Sequence, residues 1–181
     1  LRPQEKLLEL VHRLDRDTSG CIIVAKKRSA LTALHDDLRE GRVDKRYLAL
    51  VFGRWPPRVK DVKVPLLKNE QASMVRVSDA GKSAHTGFTI KQSFADYTLL
   101  EAKPYTGRTH QIRVHAKHAG HSLVGDDKYS DPDSNVAAAK RGFKRLCLHA
   151  ASLTFTHPAS GEKIRIEAPL PDDIAAPLRA L

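Results

Sequence analysis

The amino-acid sequence predicts an α+β fold built on a mixed, mostly antiparallel sheet. Three observations support this: strand-like segments outnumber helical ones, hairpin-length turns join many of the strands, and the helices occur singly. With 181 residues, the chain is long enough for one sizeable core, whereas two independent cores would be cramped. We therefore expect a single domain over residues 1–181.

The first part of the chain predicts an extended or helical lead-in, a loop and a strand. Residues 4–11 suit a short helix or an extended segment, residues 12–20 a loop, and residues 21–25 a strand. The strand is expected to be covered on both faces, because its apolar run is short, continuous and β-branched. Four apolar side chains of the lead-in are expected to be buried: Leu7, Leu8, Leu10 and Val11.

A helix and a long strand follow. Ser29 is a plausible N-cap for a helix that continues to Glu40, with leucines at helical spacing and Gly41 as its left-handed stop. Residues 45–53 form an apolar strand opened by two cations. Alternation and flanking turn residues predict five more strands, over residues 74–78, 84–92, 95–103, 146–155 and 163–167.

The second half of the chain contains two further predicted helices. Thr109 can cap a helix over residues 110–119, and a terminal helix is expected after Pro171. Residues 131–145 combine a proline, alanines and basic residues, which we interpret as a surface excursion.

Composition indicates a soluble protein of a reducing compartment. Hydrophobic residues make up 41% and charged residues 29% of the chain, and no apolar run approaches the ~20 residues of a membrane helix. Cys21 and Cys147 lie far apart in apolar surroundings, which favours buried free thiols over a disulfide or a zinc ribbon. We therefore expect a cytoplasmic protein with no membrane contact.

The charge of the chain indicates a polyanionic partner. The net charge is +10 and the isoelectric point is about 9.8. A positive field of this size attracts polyanions and accelerates encounters with them. Nucleic acid is the leading candidate partner.

The loop over residues 12–20 combines two acids, two arginines, a histidine and two hydroxyl side chains in nine positions. Its second half, residues 17–20, predicts a tight turn with Asp17 at the first position, where its side chain would bond backbone N–H groups. Asp15 has no such structural reason. We therefore expect Asp15 to present a carboxylate at the mouth of a cleft.

A basic window lies between Lys103 and Gly125, where no acidic residue occurs. Arg108 and His110 are expected at the start of the helix in this window, where free N–H groups and the helix dipole favour phosphate. The window therefore predicts an anion-binding surface.

Two other kinds of site receive weaker support. His115, His118 and His121 could suggest zinc, but only the first two share a helix face. Asp15 and Asp17 do not suggest a glycosidase pair, because their spacing fixes no useful separation. A metal-free, cofactor-free reaction on a nucleic-acid base fits the residues, while a non-catalytic RNA-binding module and a metal-dependent hydrolase remain as alternatives.

Four segments closely resemble the motifs of the RluA-type pseudouridine synthases, in the same order and spacing. They are His12-Arg13-Leu14-Asp15-Arg16-Asp17-Thr18-Ser19-Gly20, Lys45-Arg46-Tyr47-Leu48-Ala49-Leu50, Thr106-Gly107-Arg108-Thr109-His110-Gln111-Ile112-Arg113-Val114-His115 and Leu146-Cys147-Leu148-His149-Ala150. The resemblance implies the pseudouridine synthase catalytic fold with a central RNA-binding cleft. It also implies an enzyme that cleaves the glycosidic bond of a uridine in RNA, rotates the base and rejoins it through C5.

The resemblance also assigns roles to individual residues. Asp15 matches the catalytic aspartate, and Tyr47 matches the tyrosine that stacks on the flipped base. Arg113 matches the arginine that pairs with the aspartate, and Arg13 the arginine that enters the space left by the nucleotide. RNA contacts are expected from three further residues: Lys45, Arg108 and His110.

The resemblance further implies the substrate and the setting of the enzyme. Within the family the chain is most similar to enzymes of large-subunit (23S) ribosomal RNA, which act without metal or cofactor, and we expect a monomer. Relatives carry an upstream segment and an S4-type RNA-binding domain that this sequence lacks. The resemblance therefore implies a catalytic-domain fragment.

Overall fold

The computed structural model describes residues 7–69, 71 and 73–181. Within these residues the strands are β1 Glu9–Leu10, β2 Ser19–Gly20, β3 Val24–Ala25, β4 Asp44–Phe52, β5 Asp61–Val62, β6 Leu66–Asn69, β7 Met74–Val77, β8 Thr86–Ser93, β9 Tyr97–Pro104, β10 Leu148–Thr156 and β11 Lys163–Glu167. The helices are α1 Arg28–Arg39, α2 Gln111–His118, α3 Pro132–Lys140 and α4 Asp172–Arg179.

One sheet of seven strands organises the molecule. Its main path runs β11-β10-β4-β9-β8-β5, and β2 adds a parallel pairing to β10. All other pairings in this sheet are antiparallel. The prediction of a mixed, mostly antiparallel sheet in an α+β fold is therefore confirmed.

Strand β4 is the centre of the sheet, and helix α2 packs on it. It lies between β9 and β10, and three residues in its second half are buried: Ala49, Leu50 and Val51. Ile112 and Ala116 of α2 belong to the same hydrophobic cluster as Ala49 and Val51. This packing places the start of α2 close to the start of β4, where residues of the loop over 12–20 also lie.

The lead-in to the motif loop is extended, and only part of its apolar surface is buried. Residues 4–6 lie outside the described residues. Val11 is buried as predicted, but Leu8 and Leu10 are exposed. The prediction failed for these two leucines because Leu10 pairs with Val24 across a two-stranded ribbon that is covered on one face only.

The strand predicted over residues 21–25 is shorter and differently covered than expected. Only its last two residues form strand β3. Burial alternates along the run, so that Cys21 and Ile23 face the core, whereas Ile22 and Val24 are exposed. The prediction of coverage on both faces was wrong, because an apolar run does not show how many layers of chain lie against it.

Two helix starts differ from the prediction. Lys27 caps α1, and Ser29 lies inside its first turn, whereas Gly41 ends the helix region with the expected positive φ of 71°. Helix α2 begins after His110, which adopts a left-handed conformation with φ 52°, so Thr109 is not the cap. Neither cap residue makes a side-chain cap hydrogen bond, which is why pattern-based capping rules placed both starts incorrectly.

The region predicted to be a surface excursion is packed structure. Asp131 caps helix α3 by accepting from Ser134 N at 2.8 Å. Ala138 and Phe143 are fully buried in a cluster with β4, β9 and α4. The prediction therefore missed helix α3 and its packing through Ala138, although most other residues of this region are partly or fully exposed.

The two cysteines of the chain do not form a disulfide. Cys21 and Cys147 are free and buried, as predicted. No helix among the described residues has the length and apolar character needed to cross a membrane.

Candidate active site

A cleft of about 700 Å³ opens where the motif loop, the start of β4 and the loop before α2 meet. It is lined by six of the seven predicted site residues: Arg13, Asp15, Lys45, Tyr47, Arg108 and His110. The seventh, Arg113, is only 4% exposed and lies beneath the cleft. Residues that are nearly 100 positions apart in sequence are thus brought to one site.

The motif loop is anchored to the sheet at Gly20. This residue pairs with Ala150 of β10 and has φ 109°. A Cβ at this position would overlap the backbone of Ala150, so only glycine permits the close approach. The end of the loop that carries Asp15 is therefore fixed against the central strands.

The turn that presents Asp15 is displaced from its predicted position. Thr18 N donates to the carbonyl of Asp15 at 3.0 Å, so the turn spans residues 15–18. Asp17 occupies the third position with φ 66°, a conformation that aspartate tolerates better than most residues. Its turn role is confirmed, but through its backbone rather than as the first residue of a turn over residues 17–20.

Side chains from the end of the chain hold the same loop. Arg145 Nη1 donates to the carbonyl of Asp17 at 3.0 Å, and its guanidinium pairs with Asp173. His149 Nδ1 lies 2.9 Å from Ser19 Oγ. These contacts hold the loop against β10 on the side away from the cleft.

Arg113 connects the catalytic candidate Asp15 to a second, buried acid. Its Nε and Nη2 donate to the two carboxylate oxygens of Asp126 at 2.7 and 2.8 Å, and its Nη1 donates to Asp15 Oδ2 at 3.4 Å. The shorter, bidentate pair is the one with Asp126. Burial opposes the charge of Arg113, but hydrogen bonds to Asp126 and the charges of both acids raise the pKa of its guanidinium. Arg113 therefore presents a fixed positive charge to Asp15.

Asp126 is a candidate site residue that sequence reasoning missed. Its side chain is fully buried, and Oδ1 also accepts from the backbone N–H groups of Lys128 and Tyr129 at 3.0 and 3.1 Å. Gly125 before it has φ 75° and passes close to the backbone of Arg145. The Gly-Asp pair in a turn-rich loop was the available signal, but nothing local identifies Arg113 as the partner.

Tyr47 stands in the cleft wall on β4, between Ala102 of β9 and Ala150 of β10. Burial, followed by the negative charge of Asp15, raises the pKa of its phenol to about 12. Tyr47 is therefore a neutral phenol at physiological pH. Its position beside Asp15 suits a flat surface for a base.

The three lysine and arginine residues predicted to contact the substrate or RNA, Arg13, Lys45 and Arg108, have different environments in the cleft. Arg13 and Arg108 are exposed, and Arg108 Nε donates to the carbonyl of Ser83 at 3.0 Å. Lys45 is partly buried, and burial lowers the pKa of its ammonium. The two arginines are therefore free to meet an anion at the rim, while Lys45 lies deeper.

His110 is held in place rather than free at the helix start. Its Nδ1 lies 2.7 Å from the hydroxyl of Tyr129, which in turn accepts from Val75 N at 2.9 Å. Burial, followed by the charge of Arg113, lowers the pKa of its imidazole. His110 is therefore neutral in the cleft wall, and a contact from this residue to RNA stays a prediction.

Gln111 shapes the loop that carries Arg108. Its Oε1 accepts from Thr106 Oγ1 at 2.6 Å and from Arg108 N at 3.0 Å. Its Nε2 donates to the carbonyl of His85 and to Thr86 Oγ1, both at 2.9 Å. This buried amide joins the loop before α2 to β8 and was also missed by sequence reasoning.

Two histidines of the zinc alternative, His115 and His121, form hydrogen bonds within the fold, while His118 is exposed. His115 places Nδ1 2.8 Å from Thr86 Oγ1 and Nε2 3.1 Å from the carbonyl of Val64. His121 Nδ1 lies 2.8 Å from the carbonyl of Phe52. Within the described part of the chain, no three acids, histidines or cysteines form a group that could hold a metal ion.

Comparison with known proteins finds a family model and related enzymes that match this chain. A family model described as RNA pseudouridylate synthase matches residues 1–118. The ribosomal large subunit pseudouridine synthase C of Escherichia coli K12 is 53% identical over all of the chain, which covers 58% of that relative's length. Its counterpart from Pasteurella multocida is 54% identical, again over all of the chain and 56% of the relative.

Solved structures support the fold. The human RNA pseudouridylate synthase domain containing 4 superposes with a TM-score of 0.77 at 26% identity, covering 95% of this chain and 75% of that one. The human domain containing 1 protein gives a TM-score of 0.76 at 27% identity, covering 94% and 73%. The chain thus spans somewhat more than half the length of the bacterial relatives and most of the human domains.

Proposed function

The chain belongs to the RNA pseudouridylate synthase family, and from this premise we propose that it converts specific uridines of large-subunit (23S) ribosomal RNA to pseudouridine. The observation that carries the proposal is the placement of Asp15. Its side chain is 18% exposed in a cleft, beside Tyr47 and backed by the buried Arg113. The bacterial relatives named as large-subunit enzymes support the choice of RNA.

The reaction exchanges one bond of the nucleoside for another. The N1–C1′ bond breaks, and its electron pair leaves with the uracil. The base then turns, C5 bonds to C1′, the C5 proton is lost and N1 gains a proton. Atoms and charge balance without an oxidant or a further substrate.

Asp15 supplies the charge that this exchange requires. Its carboxylate faces the electron-poor C1′ and either bonds to it or stabilises its positive charge. The guanidinium of Arg113 donates from Nη1 to Asp15 Oδ2 at 3.4 Å and so helps to hold the carboxylate in place. Asp126 keeps that guanidinium aimed at Asp15 rather than at the substrate.

Tyr47 binds the flipped base, and Arg13 occupies the space that the base leaves in the RNA. A neutral phenol stacks on uracil without competing for its protons, and stacking is worth about 1–3 kcal/mol per base. Flipping a base out of a stack costs a few kcal/mol. Arg13, exposed at the rim, fills the vacated position and offsets part of that cost.

The surroundings of the enzyme follow from the same proposal. Since ribosomal RNA is made in the bacterial cytoplasm, we place the protein there, acting as a monomer and without a membrane contact. A sedimentation-velocity run that gives twice the chain mass would contradict the monomer, and recovery in the membrane fraction would contradict the location.

The test is release of tritium from uridine C5 in ribosomal RNA by the complete protein. Asp15→Asn is expected to abolish release while leaving the affinity for the RNA near that of the wild type. Asp17→Asn is the matched control, because Asn tolerates the same left-handed conformation, and it is expected to retain release. Tritium release by the Asp15→Asn variant at the wild-type rate would contradict the proposal. RNA binding by the wild type without any release would favour a non-catalytic RNA-binding module.

A further inference from the structure

A second groove of about 480 Å³ lies beside the cleft, along strands β8 and β9. Lys103 and Tyr105 line both the groove and the cleft, so the two spaces meet at the end of β9. We propose that the groove binds a nucleotide adjacent to the target uridine in the same RNA strand, with its base stacked on Tyr105. This inference rests on the proposed function.

Tyr105 has the exposure and the rigidity of a stacking surface. One face of its ring stacks on His85, with centroids 4.2 Å apart and planes 18° apart, yet the residue is 49% exposed. The exposed surface is therefore the opposite face and the edge of the ring. Tyr105 N also donates to the carbonyl of His85 at 2.9 Å, which ties the two residues together through the backbone.

The surroundings of the stacked pair are built to hold it. His85 N donates to Thr106 Oγ1, a hydroxyl that also bonds Gln111. On the sheet side, a Cβ on Gly87 would come within 3.2 Å of Tyr105 Cε2. Glycine at this strand position therefore leaves the space in which the ring lies. A preorganised aromatic ring loses little conformational freedom when a base stacks on it.

The charges of the groove suit a phosphate next to that base. Its walls carry three cations, Arg46, Lys60 and Lys103. Arg46 and Lys103 pair with Asp44 at 3.0 and 2.8 Å, while Lys60 is exposed. Its two acids already have partners, since Asp61 Oδ1 lies 2.6 Å from His85 Nε2 and Glu101 accepts from Arg46 at 3.0 Å. The ammonium of Lys103 lies 5.0 Å from the ring centroid of Tyr105, so a phosphate and a stacked base can be bound side by side.

An RNA strand is the occupant that explains all of these features together. The groove continues from the cleft that takes the target base, and it pairs an aromatic face with positive charge. Stacking platforms of this kind accept any base, because every base has a π-face. A flipped nucleotide also needs its neighbours held so that the strand keeps its position. Tyr105 therefore contributes to the affinity for the RNA strand and to its position in the cleft, and takes no part in the reaction itself.

The first test measures the affinity of the complete protein for a short fluorescent oligouridylate. Tyr105→Leu removes the ring and is expected to weaken binding by about 5- to 150-fold, the equivalent of ~1–3 kcal/mol of stacking. Tyr105→Phe keeps the ring and is expected to bind like the wild type. Ile166→Ala is the control, because Ile166 is a partly exposed apolar residue on β11 at the opposite edge of the sheet.

The second test does not depend on a variant. An oligouridylate carrying 5-iodouridine is irradiated with the wild-type protein, and the crosslinked peptide is expected to contain Tyr105. Wild-type affinity in Tyr105→Leu, or crosslinks confined to other peptides, would overturn the platform while leaving the proposed function intact. Tyr105-dependent binding with no tritium release by the wild type would overturn the proposed function alone.

Discussion

Asp126 determines how Arg113 meets Asp15. It takes two of the guanidinium nitrogens at 2.7 and 2.8 Å and leaves Nη1 for Asp15 at 3.4 Å. The neighbouring Asp127 approaches the same guanidinium only at 3.9 Å, and its side chain is 86% exposed. Two adjacent acids of identical chemistry therefore differ in burial and in contact, which makes them a matched pair.

We expect Asp126→Ala to lower the free energy of unfolding by about 3–5 kcal/mol, because it leaves the buried charge of Arg113 without its main partner. Tritium release should fall as well, since Asp126 no longer holds the guanidinium of Arg113 in place against Asp15. Asp127→Ala should change the stability by less than about 0.5 kcal/mol. Urea unfolding and tritium release measure both effects, and equal losses in the two variants would contradict this role of Asp126.

At the scale of elements, the motif loop depends on one short parallel pairing. Strand β2 lies against the first half of β10, while β11 occupies the second half of the same side. The pairing is possible because Gly20 brings its backbone against that of Ala150. Catalytic geometry therefore depends on a contact of two residues.

Gly20→Ala is expected to break this pairing, because the added Cβ overlaps backbone atoms that cannot move without the strand. Gly161→Ala is the matched control: its φ of 71° is also positive, but a Cβ there meets nothing within 4 Å. The control should cost only the left-handed strain of about 1–2 kcal/mol. We expect a larger loss for Gly20→Ala and loss of tritium release. Urea unfolding with similar costs for the two variants would show that the pairing is dispensable.

At the scale of the whole molecule, buried histidines link stability to pH. Burial is the largest cause that lowers the pKa values of His12, His110 and His115 below their usual value. Below about pH 6.5, the unfolded chain binds protons that the folded chain does not. The contribution of these histidines to the free energy of unfolding is therefore fully present above that pH and is lost as the pH falls toward their lowered pKa values.

We expect urea unfolding to show a lower stability at acidic than at neutral pH. His115→Gln removes one of the contributing groups and should flatten this dependence, even if it lowers stability overall by disturbing Thr86 and Val64. His35→Gln is the control, because it changes an exposed histidine on helix α1, away from His115, and should alter the slope much less. A slope that His115→Gln leaves unaltered would rule out a contribution from this histidine.

The sequence by itself determined the fold class, most of the strands and the identity of the cleft residues. Alternation and apolar runs are local properties of the chain, so β4, β8, β9 and the β10–β11 hairpin could be predicted from them. Asp15 stood out because it had no structural role in its own loop. The motif residues then predicted a site whose cleft contains six of them and covers the seventh.

Only the tertiary structure decided which partners the site residues have. Asp126 is 13 residues from Arg113, Asp15 is 98 residues away, and no local pattern records such a pairing. The same holds for the exposed face of Ile22 and Val24 and for the buried Ala138 of α3, because burial depends on what the rest of the chain lays against a segment. Tyr105 stood at the end of a predicted strand, but its stacking on His85 required the sheet to place them together.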